Sequence, residues 1–190
     1  MAFKVGNFVL DSAAFRYPED YFIASQSYWE EHFSCSGSMG KRLPTVEEYI
    51  SIMGRLHKLK SGSSSARGET DMPSAELYRL LRDFKSIKLC AGKLDYSKSN
   101  LLDRESGYVK NLIKDTNYRR ALEDEVLKHD AKESANIVEK ASGKKLFLIP
   151  PYSIDAERAI WLDIDEDRFR IGCGISIYHE YGGARGIKVS

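Results

Sequence analysis

Along this 190-residue chain, apolar positions alternate in some stretches and recur at helical spacing in others, so a sequence of elements can be read from the pattern. Residues 3–10, in which Phe3, Val5, Phe8, Val9 and Leu10 are apolar, predict a first strand. Residues 15–33 are dense in rings: Phe15, Tyr17, Tyr21, Phe22, Tyr28, Trp29 and Phe33. Their second half, from Gln26 to Phe33, predicts a short helix with Tyr28 or Trp29 turned inward, followed by a loop over 34–40. Val46, Tyr49, Ile50, Met53 and Leu56 then mark an apolar helical face running to about Leu59. Thr45 and Glu48 are spaced as a capping box, in which each side chain satisfies the other residue's backbone amide. A second helix begins near Ser74 and turns Leu77, Leu80, Leu81 and Phe84 to one side. Residues 87–96 and 108–113 predict strands. Residues 117–141 predict a charged helix with sparse apolar positions, a break near His129 and Asp130, and Gly143 as its C-cap.

The rest of the pattern is β. Residues 145–149 form a short apolar strand stopped by Pro150 and Pro151. Residues 158–164 and 168–177 are expected to pair as a hairpin around Asp165, Glu166 and Asp167. Gly182 and Gly183 are read as a turn into a last strand at 186–189. Runs of helices followed by runs of strands predict an α+β fold. The expected architecture is three to four helices on a mostly antiparallel sheet with a β-rich C-terminus, its core strands drawn from 145–190 and the N-terminal residues. The expected core is Phe8, Leu10, Ile50, Met53, Leu80, Leu81, Phe147, Ile149, Trp161 and Ile175. The length suits a single domain over 1–190, with the serine- and glycine-rich stretch at about 61–73 as a flexible loop.

Composition narrows the function classes. A chain that is 42% hydrophobic and 30% charged is an ordinary globular one. A net charge of +1 is far from that of a chain tracking many phosphates, so a protein or small-molecule partner is expected ahead of nucleic acid. Residues 41–98 do carry twelve Lys/Arg against seven Asp/Glu, a local net of +5. Arg55, Lys58, Arg79, Arg82, Lys85 and Lys88 are the cations placed on or beside helices. A nucleic-acid-associated protein using this face is therefore an alternative reading, although a solvated helical face explains it more simply. The sequence offers no signal-peptide pattern and no apolar run approaching the ~18 residues of a membrane span. Cys35, Cys90 and Cys173 are odd in number and lack C-x-x-C spacing, which argues against a disulfide framework. A buried, inert thiol is the favoured reading for each, with a reactive thiol as the alternative for a loop-exposed Cys35 or an edge-strand Cys173. The expected setting is cytoplasmic.

Most apparent motifs fail on chemistry. Residues 35–42 approach a phosphate-binding loop but place Cys35 and Arg42 where it needs Gly and Ser or Thr. Asp163, Asp165 and Asp167 open like a calcium loop, yet Arg168 stands at its turn glycine and Gly174 at its bidentate Glu. A solvated acidic hairpin tip is the simpler reading. His32, His57, His129 and His179 stand far apart, without metal-ligand spacing. Neither a metal nor a cofactor is expected.

What remains is the C-terminal segment. Five of the chain's 14 glycines, at 172, 174, 182, 183 and 186, lie among β-branched and aromatic residues there. Glycine inside a strand pattern marks a bulge, a bend or a close backbone approach. Strand alternation would put Tyr178 with Glu180 on one face and His179 with Tyr181 on the other. The leading reading is a non-catalytic binding or interaction protein using Tyr178, His179, Tyr181, Gly182, Gly183 and Arg185. The alternative is a small enzyme in which His179 and Glu180 serve as an acid-base pair.

The stretch from Arg42 through Leu43 and Pro44 to Thr45, and the close from Arg168 through Cys173 to Lys188, resemble parts of a loose group of uncharacterised archaeal proteins. The resemblance implies a cytoplasmic setting and transfers no activity and no catalytic residue.

Overall fold

The first alternating segment folds into two strands where one was expected. The computed structural model describes residues 2–16, 25–35, 40–62, 72–95, 132–148, 157–173 and 182–189. In it Ala2–Val5 (β1) and Phe8–Asp11 (β2) pair antiparallel, with Val5 opposite Phe8. Gly6 and Asn7 make the reversal, and Gly6 takes φ +59°, a conformation that disfavours any side chain with a Cβ. A two-residue Gly-Asn link between apolar runs is a hairpin signal, which the single-strand reading passed over.

The remaining strands are Phe15–Arg16 (β3), Leu89–Asp95 (β4), Lys145–Leu148 (β5), Glu157–Ile164 (β6), Arg168–Cys173 (β7), Gly183–Ala184 (β8) and Ile187–Val189 (β9). The described helices are Gln26–Ser34 (α1), Val46–Lys60 (α2), Pro73–Ser86 (α3) and Lys132–Ser142 (α4). The strands form a three-stranded sheet in the order β1-β2-β9 and a six-stranded sheet in the order β3-β8-β4-β6-β7-β5. Pairing is antiparallel except for β4 with β8 and β5 with β7. The fold is α+β, with helices packed on mostly antiparallel sheets.

Local chemistry explains the best-formed helix. Thr45 Oγ1 accepts the Glu48 amide at 3.2 Å, and Glu48 Oε2 accepts the Thr45 amide at 2.8 Å, closing the capping box that starts α2. Arg42 grips both Glu48 carboxylate oxygens, at 2.5 and 2.7 Å. Burial alone would raise the Glu48 carboxyl. The hydrogen bonds from Arg42 and Thr45, together with the Arg42 charge, outweigh it and hold the group below its ordinary value. Pro73 opens α3 at a position whose amide has no helical partner to lose.

Leu77, Leu80 and Phe84 of α3 join Val46, Tyr49, Ile50, Ile52, Met53 and Leu56 of α2 over one face of the six-stranded sheet, where Ile160, Leu162, Phe169 and Ile171 meet them. Phe3, Val5 and Leu10 of the smaller sheet belong to the same core. On the opposite face, Trp29 and Phe33 of α1 pack with Leu43, Cys90, Ala159, Trp161 and Ala184. Residues 159–164 of β6 are buried without alternation because helices cover both faces of that strand. Each large side chain so buried contributes roughly 1.5–3 kcal/mol.

Of the expected core, Leu10, Ile50, Met53, Leu80 and Trp161 are buried, and Phe8 and Leu81 are partly so. Phe147 is half-buried under the Arg168 guanidinium, 4.5 Å from its ring centre, while Ile149 and Ile175 lie outside the described residues. Strand β4, which the sequence reading left out of the sheet's centre, sits between β8 and β6. Gly183 and Ala184 form a strand where a turn was expected. Cys35 is exposed and Cys90 buried, so the expectation of a buried thiol fails at Cys35. The expected strand at 108–113, the helical stretch 117–131 and the loop residues 63–71 fall outside the described residues. No helix among the described residues is long and apolar enough to cross a membrane.

Candidate functional site

The described part of the C-terminal segment, residues 182–189, passes from one sheet to the other. Gly183 and Ala184 pair in parallel with Leu89 and Cys90 of β4 and antiparallel with Phe15 and Arg16 of β3. Three residues on, Ile187 to Val189 pair with Phe8 to Leu10 of β2, and Ile187 exchanges two backbone hydrogen bonds with Arg42. Between the two strands lies Arg185, fully buried. Its Nε and Nη2 donate to Asp83 Oδ2 at 3.0 and 2.6 Å, and its Nη1 donates to the Asp11 carbonyl at 2.6 Å. Asp83 Oδ2 also accepts the Ala14 amide at 2.9 Å. Asp11 returns the contact: its Oδ2 accepts the Gly186 amide at 3.1 Å, while Oδ1 meets Lys41 Nζ at 2.6 Å.

The glycines are explained by close approach. A Cβ on Gly183 would lie 2.6 Å from both Ile87 Cδ1 and the Phe15 carbonyl, and one on Gly186 would lie 2.6 Å from Asp11 Oδ2 and the Phe33 ring. A Cβ on Gly172 would overlap the Trp161 indole. Trp161 is flanked by Lys88 Nζ at 5.0 Å and the Arg170 guanidinium at 5.7 Å.

Beside β8 stands a group of rings. Phe15, opposite Ala184, is 43% exposed. Its ring centre is 5.2 Å from that of His32 and 5.7 Å from that of Phe33. The His32 ring stacks on Tyr28 at 6.1 Å, and Tyr28 meets Trp29 edge-on at 5.1 Å. Among the predicted site residues, Gly182, Gly183 and Arg185 are thus brought against β3, β4 and α3, with Arg185 inside the protein. Tyr178, His179, Glu180 and Tyr181 lie outside the described residues.

Three partners, Asp83, Phe15 and His32, escaped the sequence reading. Asp83 follows Leu80 by three residues and precedes Phe84, so helical spacing already placed it on the inward face, where a carboxylate requires a cation. Phe15 and His32 carried no such signal, because their meeting depends on β3 pairing with a strand from the far end of the chain.

Other sequence candidates are occupied. Lys41 and Arg42, the two cations of the loop resembling a phosphate-binding one, are held by Asp11 and Glu48. Asp163 receives two hydrogen bonds from Arg170, at 2.7 and 2.6 Å. Asp165 Oδ1 accepts the amides of Asp167 and Arg168 at the hairpin tip. Among the described residues, no group of three or more His, Cys, Asp and Glu side chains is placed to hold a metal. Burial, with the nearby Glu30 carboxylate, pushes the Cys90 thiol well up, and its Sγ lies 3.4 Å from Gln26 Oε1.

Comparison of the chain with protein-family models, curated proteins and solved structures finds no match.

Proposed function

We propose that this protein is a non-catalytic binding module whose contact surface is the glycine-rich C-terminal segment together with the rings grouped beside it. The observation that carries this reading is Phe15, a large apolar ring left 43% exposed directly opposite Ala184 and touching His32. An exposed ring at the edge of this segment offers a flat apolar contact, and the neighbouring imidazole adds a hydrogen-bonding edge, while Gly182 and Gly183 let the chain beneath pack closely against Ile87. Aromatic rings with a polar handle suit a protein or small-molecule ligand with an apolar face. Arg185 serves this surface from beneath by fixing the segment in place. Tyr178, His179 and Tyr181, which precede Gly182 in the sequence, belong to the same proposal.

The test is a fragment screen read by chemical-shift changes. Ligands should move Phe15, Tyr28, His32, Gly182 and Gly183 first. Phe15→Ser and His179→Ala should each weaken the same ligands; Phe15→Ser also loses its packing on Phe33, so its binding is compared at a temperature where both proteins are fully folded. Shifts clustered elsewhere, or full binding by both variants, refute the reading.

A further inference from the structure

Helix α3 turns both of its carboxylates inward and its cations outward. Glu76 and Asp83 are buried, Glu76 held by Arg79 Nη1 at 2.8 Å and Asp83 by Arg185. The solvent side carries Tyr78, 68% exposed, with Arg79, Arg82 and Lys85, all exposed. Tyr78, Arg82 and Lys85 share one helical face, and Arg79 lies beside it. No carboxylate among the described residues pairs with Arg82 or Lys85. A simple charge count over 41–98 therefore understates the cationic character of this face, since it subtracts Asp83, whose charge the fold buries against Arg185.

We propose that this face of α3 binds single-stranded nucleic acid, with Arg79, Arg82 and Lys85 on the phosphates and Tyr78 stacked on a base. From residue 79 to residue 85 the helix rises about 9 Å, which matches ~2–3 nucleotides of one strand. Cations interleaved with an exposed ring are the combination that holds single strands without sequence preference. A nucleotide strand supplies both halves of this chemistry at once, phosphates for the cations and a planar base face for Tyr78. At the Lys85 end the face meets an open depression of about 430 Å³, lined by Lys85, Lys144, Ile164, Asp165 and Glu166. Its two carboxylates repel phosphate, so the strand runs from Lys85 towards Tyr78 and stops short of the β6–β7 hairpin tip. This inference is independent of the surface around Phe15.

A labelled oligothymidylate followed by fluorescence anisotropy tests it. Binding is expected at ~10⁻⁴–10⁻⁶ M, with a log–log salt slope of about −2 from three phosphate contacts. Arg82→Glu combined with Lys85→Glu should weaken binding at least ~10-fold and flatten the slope. Tyr78→Ala should weaken it at least ~5-fold at an unchanged slope. All three positions are exposed, so the variants should keep the wild-type melting temperature. The proposal is overturned by no binding at low salt or by binding that survives the charge reversal. Equal affinity for heparin with no effect of Tyr78→Ala, or preference for phosphatidylserine vesicles, would also overturn it.

Discussion

Arg185 Nη2 lies 2.6 Å from Asp83 Oδ2, with both side chains buried, so an ion pair inside the core ties the C-terminal segment to α3. The same guanidinium holds the Asp11 carbonyl of β2, and the same carboxylate oxygen holds the Ala14 amide. Three separate stretches of chain meet at two side chains. An ion pair of this kind fixes an arrangement more than it adds net stability, because desolvation offsets most of the attraction.

Removing one partner leaves the other charged and buried. Arg185→Met and Asp83→Ala should each destabilise the fold by about 3–5 kcal/mol. The double variant should cost less than the sum, because neither charge is then stranded. Urea denaturation of the four proteins gives the coupling directly, and additive losses would show that the pair acts through its backbone contacts alone.

The indole of Trp161 lies across Gly172, where any Cβ would overlap it. Gly172→Ala should therefore force the ring aside at a cost of about 1–3 kcal/mol. Trp161→Phe in the same chain should recover part of that loss by making room. Denaturation followed by circular dichroism separates the two variants, and a neutral Gly172→Ala would mean that the ring moves freely.

How much of this was legible depends on whether the cause was local. Helix α2 could be read almost to the residue, since Thr45, Glu48 and the Val46–Leu56 spacing act within a few turns. The β1–β2 hairpin was also written locally, in Gly6 and Asn7, where the alternation of Phe3 and Val5 breaks before resuming at Phe8 and Leu10. The glycines at 183 and 186 announced a departure from ordinary strand chemistry. Their reasons, Ile87, Phe15, Asp11 and Phe33, come from distant elements, so the sequence could mark the place and not the cause. Arg185 reads as a ligand-binding residue from its place in the glycine-rich segment, and only the inward position of Asp83 on α3 hinted at a buried cation.

Cys35 and Cys90 should differ sharply in reactivity. Cys35, just past the end of α1, is exposed, whereas burial and Glu30 push the Cys90 thiol up and leave it protonated. Thiol reagents act on the accessible thiolate. Under native conditions a maleimide should label Cys35 within the time that leaves Cys90 untouched, and denaturant should make them equal. Peptide mapping by mass spectrometry reads both sites, and native labelling of Cys90 would mean that α1 opens readily from the sheet.

Acid should loosen the start of α2 first. In the folded chain the Glu48 carboxyl sits below its ordinary value of 4.5, because the Arg42 hydrogen bonds, the Thr45 amide and the Arg42 charge outweigh the opposing effect of burial. A group whose folded value is depressed contributes stability that is fully present above the unfolded value. That stability is lost as pH falls through the folded value. The Glu48 contribution should thus be intact at neutral pH and fade below about 4.5. Glu48→Gln keeps a side-chain acceptor for the Thr45 amide but loses the charge facing Arg42. It should therefore melt below wild type at neutral pH, with the gap closing as Glu48 is protonated. Thr45→Ala removes the other half of the box at a cost of about 1 kcal/mol, and that loss should persist across the same pH range. Melting temperatures of the three proteins between neutral and acid pH decide the point: a constant gap for Glu48→Gln would show that its charge plays no part in holding the helix start.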